Sequence, residues 1–117
     1  MNKICTSPEQ SNVLISLGVD VNTADMFYTI IDQGLYCEIK QGIEPPKDAI
    51  PAWSLAALLA LLPKEIGRYT KSLYWFDDTW HCEYMDEDSE GLYGTSADNP
   101  VDTCVKMIIK LEENNVI

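Results

Sequence analysis

The segment Trp75–Gly91, WFDDTWHCEYMDEDSEG, contains the residue types of this chain that could do chemistry. The only histidine, His81, stands next to Cys82 and inside a run of carboxylates. An imidazole in contact with a thiol can activate a nucleophile, and an imidazole in contact with a carboxylate can transfer protons. The other interpretation is a β-hairpin with a solvated acidic end, and the sequence favours it.

Alternation along a strand separates the histidine from the cysteine. Successive side chains of a strand point to opposite faces, so His81 and Cys82 diverge and cannot activate each other. A turn centred on Asp77 and Asp78 places two sets of side chains on opposite faces, whereas a turn shifted by one residue would put Trp80 opposite Phe76 or Tyr74. The face predicted to join the core carries Leu73, Trp75, Trp80, Cys82 and Tyr84, with Trp75 and Trp80 as a cross-strand pair. The other face carries Tyr74, Phe76, His81, Glu83 and Met85.

Three residues of the second face, Tyr74, His81 and Glu83, form an alternative site. A carboxylate near an imidazole favours the imidazolium and can orient it. No nucleophile or second histidine is recognisable, so a paired, half-exposed histidine is the preferred interpretation. We therefore predict no catalytic residue. A small-molecule-binding or enzymatic domain that uses His81 and Glu83 is kept as the alternative.

The run DEDSEG resembles the start of a calcium-binding loop, with Asp86, Asp88 and Glu90 at alternate positions and Gly91 in sixth place. The twelfth position, which should hold a bidentate glutamate, is Ala97. A zinc site would have to gather one histidine and scattered cysteines from distant segments. We predict neither a metal site nor a cofactor.

The four cysteines, Cys5, Cys37, Cys82 and Cys104, are well separated and lie in apolar contexts. The absence of a CxxC pair excludes a zinc ribbon or a thioredoxin-type motif. In a cytoplasmic protein this usage predicts buried free thiols rather than a disulfide framework.

Negative charge is concentrated in one region of the chain, whose 117 residues carry a formal net charge of −11. Ser72 to Val105 contains no lysine or arginine, whereas the flanking regions are nearly balanced. The acidic residues of this region are Asp77, Asp78, Glu83, Asp86, Glu87, Asp88, Glu90, Asp98 and Asp102. A chain without a basic patch is a poor direct binder of nucleic acid, and anionic membranes repel it.

Two features bear on location. The first ten residues, MNKICTSPEQ, have no apolar leader, and the longest apolar run, Leu55 to Leu62, is too short to cross a bilayer. We expect a cytoplasmic protein.

The flanking sequence predicts the helices that position this segment. Ser7, followed by Pro8 and Gln10, predicts a capped helix that ends near Gly18. A second helix is predicted from a cap at Ser54 to about Leu62, buried on most sides. Asp98 or Asn99, followed by Pro100, predicts a third helix that runs to about Asn114.

Strand signals complete the fold prediction. FYTIIDQGLYCEIKQG predicts a hairpin with its turn at Asp32, Gln33 and Gly34, and GLYGTS predicts a strand added to the second hairpin. Pro45, Pro46 and Pro51 predict a stiff connector outside any ladder. Residues 1–117 are thus predicted to form a single α+β domain, a mostly antiparallel sheet of two hairpins packed with about three helices.

Three blocks of the chain resemble a known group of proteins. SPEQSNVLISLGVDVNTADM, IPAWSLAALLALLPK and NPVDTCVKMIIKLEENNVI, together with WHCEYM, are similar to uncharacterised small proteins encoded in prophages and mobile elements of gut Bacteroidetes. The resemblance implies an accessory protein of a phage or mobile element that acts inside a bacterium. It implies no activity, cofactor or catalytic residue.

The missing catalytic constellation and the regional charge predict a non-enzymatic protein-binding module with an acidic face, such as a DNA mimic or an inhibitor of a host protein. Its unknown, basic partner would contact the carboxylates, which steer association over long range. The residues predicted to bind are Asp77, Asp78, Asp86, Glu87, Asp88 and Glu90. Two interpretations stay open beside it: the carboxylates serve only solubility, or the protein is structural and self-associates as a homo-oligomer.

Overall fold

A computed structural model describes residues 3–31, 34–40, 42 and 44–117. The described residues form three α-helices and seven β-strands in two antiparallel sheets, which confirms the predicted α+β fold. The helices are α1 (Pro8–Ser16), α2 (Leu55–Leu61) and α3 (Pro100–Glu113). The strands are β1 (Met26–Ile31), β2 (Gly34–Ile39), β3 (Ile50–Ala52), β4 (Glu65–Ile66), β5 (Tyr69–Phe76), β6 (Thr79–Met85) and β7 (Gly91–Ala97).

Side-chain caps start the three α-helices where the sequence predicts them. Ser7 and Gln10 form a capping box, in which each side chain accepts a hydrogen bond from the other residue's backbone N–H. Ser54 Oγ accepts from the N–H of Ala57, at 3.2 Å. Of the two candidates for the third cap, Asn99 is the one used. None of the helices in the described ranges is long and apolar enough to cross a membrane.

The smaller sheet has the order β2-β1-β3. Its β1–β2 hairpin confirms the predicted strands, and Ile31 pairs with Gly34, which begins β2. The other two predicted turn residues, Asp32 and Gln33, lie outside the described residues. The connector prediction is wrong for Pro51, which lies in β3 opposite Phe27. A proline is tolerated there because β3 is an edge strand, where a missing N–H need not break the ladder.

The larger sheet has the order β4-β5-β6-β7 and is covered on one face by α3. The β5–β6 register pairs Leu73 with Cys82 and Trp75 with Trp80, so the two faces are divided as predicted. Cys82 and Tyr84 are buried beneath the apolar side of α3, to which Cys104 belongs. The other face of this sheet carries His81 and Glu83.

The helix α2 and its entry segment contribute to the core of the larger sheet, which is separate from the small cluster of the smaller sheet. Trp53 is fully buried, and its indole N–H donates to Thr23 Oγ1 at 2.9 Å. Leu58 is fully buried beside it, whereas Ala56 and Ala60 are exposed. The prediction that α2 is buried on most sides is confirmed, since Leu55, Leu59 and Leu61 pack partly buried against the same core and only the strip of Ala56 and Ala60 faces solvent.

Candidate functional site

The end of the β5–β6 hairpin is built by a two-residue turn. Asp77 and Asp78 both adopt the left-handed conformation, with φ of 54° and 58°, and Phe76 pairs directly with Thr79. Two successive left-handed residues define the type I′ turn, which matches the twist of a hairpin and tolerates aspartate. The turn therefore presents two exposed carboxylates at its apex. We call this end of the hairpin, residues 74–81, the tip.

The first face of the tip carries a tryptophan pair. The rings of Trp75 and Trp80 meet edge to face with centroids 5.9 Å apart, as the alternation predicts. The prediction that Trp75 joins the core is wrong, because 52% of it is exposed. The elements that cover this face do not extend to Trp75, because β7 ends at Ala97, opposite Trp80, and the chain turns there into α3.

The second face of the tip carries a stack of rings. The His81 imidazole stacks on Tyr74 with centroids 5.2 Å apart, and Phe76 tilts against the same imidazole at 6.4 Å. His81 Nε2 lies 3.2 Å from the carbonyl oxygen of Phe76, a residue that is 66% exposed. Both faces of the tip therefore present aromatic surface to solvent.

The structure brings together the three residues of the alternative site, with Tyr74 between the other two. Tyr74 Oη donates a 2.7 Å hydrogen bond to Glu83 Oε1, and this bond raises the pKa of Tyr74. Glu83 thus accepts its hydrogen bond from Tyr74 and not from His81, whose imidazole contacts the rings of Tyr74 and Phe76 and the carbonyl of Phe76. The group lies on the open face of the sheet, with Tyr74 exposed, so it has no enclosure to exclude water from a reaction.

The opposite end of β6 leads into a loop, residues 86–90, that we call the acidic loop. Its conformation depends on Asp86, whose Oδ1 accepts from the N–H groups of Asp88 and Glu90 at 3.0 and 2.9 Å. Asp86 Oδ2 lies 3.3 Å from Arg68 Nε, and only 7% of the Asp86 side chain is exposed. Asp86 therefore organises the loop, and the exposed charge belongs to Glu87, Asp88 and Glu90.

The six predicted binding carboxylates do not form one acidic face. Asp77 and Asp78 precede β6 and the acidic loop follows it, so the full length of Thr79–Met85 separates the two groups. At about 3.3 Å per residue the groups are roughly 25 Å apart. The prediction of a single face is therefore corrected to two separate acidic ends, because an extended strand carries its termini to opposite edges of the sheet.

Sequence reasoning missed a cation that faces the acidic loop. Arg68 lies outside the base-free region of the sequence, in the turn between β4 and β5. The antiparallel pairing of Thr70 with Met85 brings that turn beside the acidic loop. A depression between them is lined by Glu65, Arg68, Thr70 and Met85, and by carboxylates of the loop. Only the strand register reveals this neighbour.

The cysteines are free, as predicted, and they meet in two pairs that the sequence did not indicate. Cys5 Sγ lies 3.2 Å from Cys37 Sγ, and burial raises the pKa of Cys37 to about 12. A hydrogen bond with Cys82, together with burial, raises the pKa of Cys104. The prediction of burial is wrong for Cys37, which is half-buried because β2 lies at the edge of its sheet.

Within the described ranges, no three histidine, cysteine or carboxylate side chains are arranged to hold a metal ion. Comparison of the chain with protein-family models, curated proteins and solved structures finds no match.

Proposed function

We propose that this protein is a non-enzymatic protein-binding module whose tip inserts aromatic side chains into an apolar pocket of a basic partner. The observation that carries the proposal is the exposure of Trp75 and Phe76, 52% and 66%, directly beside the carboxylates of Asp77 and Asp78. Tryptophan and tyrosine anchors dominate the energetics of protein interfaces. Carboxylates at the rim steer the approach of a basic surface and add salt dependence.

The tip is ordered before it binds, which supports the same conclusion. The Trp75–Trp80 pair fixes one face, and the ring of Tyr74 is fixed by His81 and Glu83 on the other. A binding element held in one conformation loses little conformational entropy on association. The stacking of His81 on Tyr74 and the hydrogen bond from Tyr74 to Glu83 thus give these three residues a role in holding the tip.

The separation of the acidic ends favours an inhibitor over a DNA mimic. Duplex DNA presents one negative charge for about every 1.7 Å of its axis. Two carboxylate groups roughly 25 Å apart, joined by a strand, do not reproduce such a continuous array. We place the protein in the bacterial cytoplasm as a phage or mobile-element accessory protein, on the resemblance of its three sequence blocks, and assign it a basic host protein as partner.

Affinity capture with matched variants tests the proposal. The tagged protein is incubated with a lysate of the bacterium that encodes it, at low and at raised salt, and bound proteins are identified by mass spectrometry. The tip variant is Trp75→Ser with Phe76→Ser, and the control variant is Glu87→Gln with Asp88→Asn in the acidic loop. Both alter exposed side chains, so folding should be preserved in each.

The wild-type protein and the control variant should enrich the same basic protein, less at raised salt. The purified partner should bind the tip variant at least about tenfold more weakly, the loss expected from removing an interface anchor. Equal binding of the wild-type protein and the tip variant would overturn the proposal, and so would the absence of any enriched protein at either salt concentration.

A further inference from the structure

Within the part of the chain that the structure describes, the two sheets have four edge strands, β2, β3, β4 and β7, and three of them are protected against pairing. β3 has three residues and contains Pro51, and β4 has only two residues. Along β7, Lys106 Nζ donates to the carbonyl of Ser96 at 2.9 Å, and Lys110 Nζ donates to that of Gly94 at 3.1 Å. Short length, proline and lysine are the devices by which proteins block edge-to-edge association.

The strand β2 has none of these devices. It has six residues, GLYCEI, without proline or lysine. Its own large apolar side chains and those at the end of β1 are 47 to 74% exposed: Ile30, Ile31, Leu35, Tyr36 and Ile39. These side chains lie on both faces of the hairpin, so exposed apolar surface flanks the β2 edge on each side of the sheet.

The register places three of these side chains on one face of the hairpin. Ile30 pairs with Leu35, and Ile39 pairs with Met26, so all of them share the face of Met26. Met26 belongs to a small buried cluster with Cys5 and Ala52. The exposed aliphatic side chains therefore continue a core that stops short of the end of the hairpin.

We propose that β2 pairs in antiparallel fashion with β2 of a second copy, giving a homodimer with a continuous six-stranded sheet. An antiparallel edge is self-complementary, because a two-fold axis brings the N–H groups of one copy to the carbonyls of the other. The pairing would satisfy the open edge and bring Leu35 and Ile39 of the two copies side by side on one face of the extended sheet.

The self-complementary edge points to a second copy, and the charge distribution allows it to approach at β2. With a net charge of −11, two copies repel each other wherever their acidic segments meet. The acidic ends belong to the larger sheet, whereas β1 and β2 together carry one charged side chain, Glu38. The edge of β2 is therefore where like chains can approach with least repulsion. The dimer leaves both tips free, so it would bind a partner bivalently.

Sedimentation equilibrium over a wide concentration range tests the dimer. The wild-type protein should approach twice its chain mass of 13.2 kDa as concentration rises. Ile39→Lys adds to β2 the charge that protects other edges, and it should stay monomeric. Leu92→Lys makes a comparable change on β7 and should dimerise like the wild-type protein. The tip variant should also dimerise, which separates this inference from the proposed function.

Amide hydrogen exchange on the wild-type protein locates the interface independently of any variant. Those amides of Leu35 to Ile39 that point away from β1 should become more protected as the dimer fraction rises, while the alternate amides, which bond β1, should change little. A wild-type protein that is monomeric at every concentration would overturn the proposal. So would a dimer that survives Ile39→Lys, or one in which the exchange of β2 amides does not change.

Discussion

Trp75 and Trp80 face each other across the β5–β6 ladder, edge to face, with one indole half in solvent and the other half-buried. The pair joins the core of the larger sheet to the exposed tip. Trp80 also lies near the start of α3, since Thr103 Oγ1 approaches its carbonyl oxygen at 3.4 Å. The two tryptophans should therefore differ in what they contribute to stability and to binding.

Replacing each tryptophan separately should show this difference. Trp75→Ala should lower the free energy of unfolding by about 1 kcal/mol or less, since it removes a cross-strand contact and little buried surface. Trp80→Ala should lower it by about 2–3 kcal/mol, because more of that ring is buried. Urea unfolding followed by circular dichroism measures both values. A larger loss for Trp75→Ala would contradict the assignment of that side chain to binding.

Replacing the turn Asp77-Asp78 by Asn-Gly should leave the hairpin intact or stabilise it by about 0.5–1 kcal/mol. Both positions have left-handed φ angles, which Asn-Gly adopts with less strain than Asp-Asp. The same change removes both tip carboxylates, so partner binding should lose part of its salt dependence. Asp77→Val should instead destabilise the fold, because a β-branched residue is strained at this φ. A stable Asp77→Val variant would argue against the type I′ turn.

Acid should weaken the contact of α3 with α1 and the N-terminal segment through Asp102. Burial alone would raise the pKa of Asp102, but hydrogen bonds from Lys3, Gln10 and Asn99 lower it below its ordinary value. A lowered carboxyl pKa contributes stability that is present above the unfolded-state pKa, near 4, and that is lost as pH falls toward the folded-state value.

Asp102→Asn should therefore cost about 1–2 kcal/mol at neutral pH, and the difference from the wild-type protein should shrink below pH 4 or so. Urea unfolding at several pH values measures the difference. A cost independent of pH would show that the charge of Asp102 plays no part.

Alkali should destabilise the fold as buried acids that are neutral in the native state ionise in the unfolded chain. Burial raises the pKa of Cys37 from 9.0 to about 12, and burial also raises the pKa of Tyr28 and Tyr84. At a pH between the ordinary pKa of these groups and their raised pKa in the fold, the folded protein holds more protons than the unfolded chain. The free energy of unfolding should therefore be constant up to about pH 9 and fall above it. Cys37→Ala should reduce that fall, and an unchanged profile would contradict the shift.

Local chemistry allowed the sequence to predict most of the elements. A cap depends on one side chain and the backbone within three residues, so Ser7, Ser54 and the Asp98–Asn99 pair marked their helices. Alternation has a period of two, and it predicted correctly that His81 and Cys82 lie on opposite faces. The sequence left the cross-strand register open by one residue, and the structure pairs Trp75 with Trp80 because the turn is centred on Asp77 and Asp78.

The tertiary structure decided how far each face is covered and which distant groups meet. Alternation assigns Trp75 to a face but says nothing of where β7 and α3 end, so its exposure was not predictable. The charge composition gave the number of carboxylates, but the length of β6 keeps them apart, and the β5–β6 register brings Arg68 to Asp86. The contact of Cys5 with Cys37 likewise depends on long-range strand pairing. Such contacts join residues far apart in the chain, and their cost in chain entropy is met only by the packing of the whole fold.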